Sequence, residues 1–134
     1  HECATCSLAP DQRTVVYSGD DADNEHVYKF IADKPGSLER GTLYVANTEK
    51  GIWIPLSRRL DDRLKKAFTD QTELLIRARE AAKIVGATPL DRPEDIEIDP
   101  LTGAIVISLT NNKKAGRPFG SLLRIVEKDG NPLS

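Results

Sequence analysis

The 134-residue chain contains no methionine, two cysteines, two histidines, and only 5% aromatic residues. A chain that opens on His1 without any methionine is expected to be a processed product or a piece of a larger protein. Two cysteines cannot build a disulfide framework, and two histidines leave little for a histidine-rich metal centre. A net positive charge is also missing: 19 lysines and arginines are outweighed by 21 aspartates and glutamates, so no basic surplus exists to neutralise a phosphate backbone. Nucleic acid is excluded as a partner on that ground. The longest apolar runs, such as AIVISL at 104–109, fall far short of the ~20 residues of a membrane span. No basic segment followed by an apolar stretch marks an export signal. The length suits one compact unit with a modest core.

What is present is alternation. Residues 2–8, 14–19, 26–32, 42–47 and 52–56 switch between apolar and polar at period two and predict five short antiparallel strands. APDQ, GDDADNE, DKPGSLERG and TEKG separate them with the residues that reverse a chain cheaply. In the middle, Leu60, Leu64, Ala67 and Phe68, then Leu74, Leu75, Ala78, Ala81, Ala82 and Val85, recur every three or four residues and predict two amphipathic helices. Asp70 is suited to cap the second, with Glu73 at the capping-box position, and Gly86 to stop it. Strand patterning returns in EDIEID, AIVISLT and SLLRIVE. The expected organisation is therefore a first meander over residues 1–57, a helical insertion over 58–90 and a second, incomplete meander over 91–134. Strand, DPLTG turn, strand is also the rhythm of a β-propeller blade.

Candidate chemistry concentrates in RPEDIEIDPLTG, residues 92–103, where acidic residues crowd beside an arginine. Strand parity sets Asp95, Glu97 and Asp99 on one face and Glu94 with Ile96 and Ile98 on the other, toward the interior. Two readings stand from the residues alone: a solvated hairpin, or carboxylates that hold a hard cation with Arg92 as a planar fork for phosphate. HECATC invites a zinc reading, but no second half-site follows, and Cys3 and Cys6 point to opposite faces of one strand. Two small buried thiols are the expectation there. No G-x-S-x-G elbow or phosphate-cradling glycine loop occurs. NNKK at 111–114 and AGRPFG at 115–120 read as a polar loop, with amides that could face a ligand.

Taken in order, HE, VVYSGDD, HVYKFIA, GTLYVAN, GIWIPL, AREAAKIVGATPLDRPEDIEIDPLTGAIVISLTNN and GSLLRIVE resemble the PhoX-type alkaline phosphatases, most specifically from Arg79 to Asn112. The resemblance implies a mainly β fold with a helical insertion, its antiparallel meanders forming about two blades of a six-bladed propeller. It implies hydrolysis of phosphate monoesters by a periplasmic or secreted protein exported through a twin-arginine signal, with calcium and iron around a central channel. On the matching motifs it makes Glu2, Glu94 and Asp21 metal ligands. Arg92 becomes the catalytic and phosphate-binding arginine, and Asn112 a second phosphate contact. The family's iron-ligating cysteine belongs upstream of His1, and further ligands belong beyond Ser134. The chain alone is thus expected to hold an incomplete metal set and to be inactive. The alternative is a non-catalytic propeller-derived module that binds or supports a partner, and exposed strand edges are expected to permit self-association.

Overall fold

A computed structural model describes residues 3–134. The fold is mainly β. Strands β1 (Cys3–Leu8), β2 (Thr14–Gly19), β4 (Val27–Ala32), β5 (Gly41–Asn47) and β6 (Ile52–Pro55) form one antiparallel sheet in the order β1-β2-β4-β5-β6. Strands β8 (Pro93–Ile98), β9 (Ile105–Leu109) and β10 (Ser121–Ile125) form a second, ordered β10-β9-β8. A short ribbon pairs β3 (Asp23–Glu25) with β7 (Leu90–Asp91). The period-two segments thus form strands where the alternation places them, while β3, read as part of a turn, owes its extended form to its partner β7.

Alternation in β4 and β5 explains how the layers assemble, because opposite faces of one strand must each find cover. Val27 and Ile31, with Tyr44 and Ala46, pack toward the three-stranded sheet, where they meet Ile96, Ile105 and Ile107. Tyr28, Leu43 and Val45 pack the other way, onto Leu64, Phe68, Leu74, Ala81, Ala82 and Val85 of the helical segment. The five-stranded sheet is therefore the middle layer, between helices and the second sheet. Leu64 and Leu74 are fully buried, and each such leucine contributes about 1.5–3 kcal/mol by leaving water.

The helical segment differs from the two-helix expectation. Helix α1 (Asp62–Ala67) is capped by Asp61, whose carboxylate accepts the Arg63 N–H at 2.8 Å. Helix α2 (Gln71–Ile76) starts on Asp70, which accepts the Glu73 N–H at 2.8 Å, while Glu73 reaches back to the Thr69 N–H at 2.7 Å. The chain then breaks at Arg77 (φ −102°, ψ 39°) before α3 (Ala78–Val85). Arg77 pairs with Glu73 on one side and Glu80 on the other, which holds the bend. Gly86, left-handed at φ 79°, ends α3 as expected.

Behind that glycine the chain is tied to the sheet. Asn47 donates to the Gly86 carbonyl at 2.7 Å, and the Thr88 N–H bonds the Ala46 carbonyl at 3.1 Å. These bonds deliver the following residues to β7 and then β8. The two sheets touch where β1 and β2 face β8: the Thr5 hydroxyl donates to the Ile96 carbonyl, and a methyl added at Gly19 would lie 2.7 Å from the Pro93 carbonyl oxygen.

Candidate functional site

Arg92 stands at the joint between β7 and β8 and adopts φ 55°, the left-handed region that ordinary residues rarely enter. Its N–H bonds the Leu90 carbonyl at 3.1 Å, closing a tight turn that swings the side chain off the sheet. There it meets Asp21: Nη2 donates to Oδ2 at 3.2 Å, and Nε stands 3.0 Å from Oδ1 without hydrogen-bond angles. Asp21 is nearly buried, its side chain 10% exposed, so the arginine is braced from behind while 38% of its own side chain stays open.

The open side borders a cavity of about 430 Å³ lined by Asp23, Arg92, Asn111, Lys113 and Lys114. The residues from NNKK reach it because Asn112 pins their loop. Asn112 is fully buried; its Nδ2 donates to Asn24 Oδ1 at 3.0 Å, and its Oδ1 accepts the Ala115 N–H at 3.0 Å. Its backbone exchanges bonds with Arg117 at 2.7 and 2.9 Å, and Gly116 supplies the left-handed turn at φ 73°. Arg117 in turn grips Asp91, with Nη2 to Oδ1 at 2.7 Å. That guanidinium, seconded by the Asn112 amide, holds the Asp91 carboxyl below its ordinary range despite partial desolvation.

A second charged cluster lies across the β2–β4 turn. Asp20, buried, accepts two bonds from Arg79 at 2.7 and 2.8 Å, which lower its carboxyl against the opposing effect of burial. Glu25 accepts from Lys83 at 3.2 Å. His26, also buried, donates through Nδ1 to the Thr88 carbonyl at 2.9 Å and turns Nε2 toward Glu25, 4.0 Å away. Asp20 falls in VVYSGDD, His26 in HVYKFIA, and Arg79, Lys83 and Thr88 in the stretch from Arg79 to Asn112, so all but Glu25 lie in segments that carry the resemblance, without a role being assigned to them there. Their signal was only a polar residue inside a strand pattern, as with Lys29.

Each expected site residue has a definite outcome. Arg92 and Asp21 meet. Asn112 bonds Asn24 and the Ala115 N–H, so both ends of its amide are taken up in holding the loop. Glu94 corrects the parity argument: it is exposed, not turned inward, because the β8–β9 register shifts between Pro93 and Asp95 and leaves Glu94 as the extra residue of a bulge. Asp95 and Glu97 are exposed as expected. Asp99 is half-buried and closes the hairpin turn, accepting the Leu101 N–H at 2.9 Å and the Thr102 hydroxyl. Glu2, and with it His1, lies outside the described residues. The thiol expectation is half right: Cys3 packs against the core, whereas Cys6 is exposed on the other face.

Among the described residues, no group of three or more histidine, cysteine, aspartate or glutamate side chains gathers to hold a metal ion. Asp21 is committed to Arg92, and Glu94 stands apart at its bulge. The donors described here therefore do not fit a metal centre by themselves. What they do offer is a braced, left-handed arginine facing a cavity with two more cations at its rim.

A search of curated proteins gives no match. Among solved structures the chain is similar to Pseudomonas fluorescens PhoX in complex with vanadate, a transition state analogue. The two superpose with a TM-score of 0.80 at 35% identity, over 92% of this chain and 28% of that one. The chain thus spans little more than a quarter of the length of the solved protein it matches. The sequence profile of alkaline phosphatase PhoX matches residues 1–133, and on this ground the chain belongs to the PhoX alkaline phosphatase family.

Proposed function

We propose that this chain is part of a phosphomonoesterase and carries the arginine that holds the phosphoryl group. The observation that supports this most directly is Arg92 itself, kept in a left-handed backbone conformation and braced by Asp21 at the wall of an open cavity. Backbone strain of this kind costs on the order of 1–3 kcal/mol and persists where a side chain must be aimed. A guanidinium so aimed offers two parallel donors to phosphate oxygens and neutralises charge as the ester bond breaks. Asp21 fixes the guanidinium plane. Asn112 serves the phosphate site by holding the loop that closes the cavity.

In this reading the two larger sheets are successive blades of a propeller, over residues 1–57 and 91–134, with 58–90 inserted between them. The calcium and iron implied by the resemblance would need Glu2, Glu94 and ligands beyond those described here, in a periplasmic or secreted setting. The chain in isolation is accordingly expected to hydrolyse phosphate esters poorly or not at all.

Hydrolysis of p-nitrophenyl phosphate by the longer protein carrying this segment tests the assignment. Arg92→Ala is expected to lower kcat/KM by 10²-fold or more, on the scale of losing one charge-stabilising donor. Glu94→Gln is expected to lower activity together with bound metal. Full activity in both variants would remove the site, and strong hydrolysis by the 134-residue chain alone would show that nothing essential lies outside it.

A further inference from the structure

The cavity beside Arg92 is larger than one phosphate needs. At about 430 Å³ it falls in the range of small-molecule sites, ~300–1,000 Å³, and a single tetrahedral anion against Arg92 leaves most of it empty. The remaining wall is cationic. Lys113 and Lys114 both line it, against one carboxylate there, Asp23. Lys114 stands 3.6 Å from Asp23 with its side chain 88% exposed, a loose pairing, and Lys113 has no ion pair among the described residues.

The loop that presents these lysines is fixed although their side chains are not. Asn112 ties it to β3 through Asn24, Arg117 ties it to β7 through Asp91, and the Asn112–Arg117 backbone bonds close it. The two lysines are thus anchored at adjacent positions of a fixed loop on the cavity that Arg92 also lines, where an anionic group of a ligand can pair with them. The cations lie in two places: Arg92 on the strand side, the lysine pair on the loop side.

We propose that this cavity takes phosphorylated ligands bearing a second anionic group, with Arg92 holding one phosphoryl group and Lys113 and Lys114 holding the other anion. The preferred ligand class is then a pyrophosphate or bisphosphate rather than a simple monophosphate. This rests on the reading of Arg92 as the phosphate arginine, and the test separates the two.

Calorimetric titration of the longer protein carrying this segment with orthophosphate and with pyrophosphate in its non-hydrolysable methylene form, at fixed ionic strength, measures the preference directly. Pyrophosphate is expected to bind about tenfold more tightly, the scale of one or two charge-assisted contacts at a solvent-exposed rim. The Lys113→Gln/Lys114→Gln double variant is expected to lose that preference while binding orthophosphate within about threefold of the parent. Both lysine side chains are exposed, so folding is not at stake, and Lys65→Gln/Lys66→Gln on α1 controls for general charge. Equal affinities in the parent, an equal loss for both anions, or a preference surviving in the double variant would each overturn the lysine subsite. Arg92→Ala is expected to weaken both anions together. If it leaves orthophosphate binding unchanged, the phosphate role of Arg92 fails, whatever the lysines do.

Discussion

Lys29 lies in β4 at 1% exposure, where an unpaired ammonium could not remain charged without a cost of several kcal/mol. Its three donors are all used: Nζ bonds Glu127 Oε1 at 2.6 Å, the Pro132 carbonyl at 3.0 Å and the Ser134 carbonyl at 2.9 Å. Nζ also sits 4.7 Å from the centre of the Trp53 ring. Glu127 is equally occupied, since it accepts from the Tyr17 hydroxyl at 2.7 Å and from Trp53 Nε1 at 3.0 Å. Burial pushes the Lys29 ammonium below its ordinary range while Glu127 pulls it back, and burial drives the Tyr17 hydroxyl upward. The network joins β2, β4 and β6 to the segment after β10.

Lys29→Met keeps the stem and removes the charge, leaving Glu127 buried without its cation. Breaking a buried pair from one side costs about 3–5 kcal/mol, a large share of the roughly 5–15 kcal/mol that stabilises a domain. Glu127→Gln strands the ammonium instead and should cost a similar amount. The double variant removes both charges while an amide oxygen still accepts from Tyr17 or Trp53, so it should be more stable than the sum of the singles by about 1–3 kcal/mol. Urea unfolding followed by Trp53 fluorescence measures all four proteins. A Lys29→Met protein within about 1 kcal/mol of the parent, or strictly additive losses in the double variant, would refute the view that this buried pair is mutually dependent.

Two further expectations concern the joint around the candidate site. Because Arg79 lowers the Asp20 carboxyl below its unfolded value of 3.8, the pair's contribution is present above that pH and is lost as pH falls through the lower folded value. Asp20→Asn should therefore flatten the decline in urea midpoint between about pH 5 and 3, and an unchanged acid limb would count against it. Gly19→Ala forces a methyl to within 2.7 Å of the Pro93 carbonyl oxygen, a backbone atom that cannot step aside alone. A loss of about 1–3 kcal/mol by denaturant titration, together with weaker orthophosphate binding, is expected as β8 is pushed away and Arg92 with it.

How much was legible in the sequence depended on whether a residue's role was local. Alternation located the main strands, and Asp70 and Gly86 marked helix ends through bonds made within a few residues. Strand β3 was invisible because DNE has no strand-like character of its own and is extended only by pairing with Leu90 and Asp91. Lys29 was equally hidden. A lysine in an otherwise apolar strand reads as a solvent-side residue, and nothing nearby announces that Glu127, 98 positions away, will neutralise it.

The misplacement of Glu94 has the same origin and says more about the site. Parity assumes that pairing continues without interruption, but the proline at 93 cannot donate to a ladder, and Gly19 lets β2 approach its carbonyl closely. Against that contact β8 takes up an extra residue, and Glu94 is turned outward at the same joint where Arg92 is forced left-handed. The irregularities at 92 and 94 flank one close approach between two sheets. A regular strand would have sent the arginine and the glutamate to the same face, since they are two residues apart. The distorted one leaves Arg92 against Asp21 at the cavity and Glu94 exposed at its bulge, apart from the residues that line that cavity.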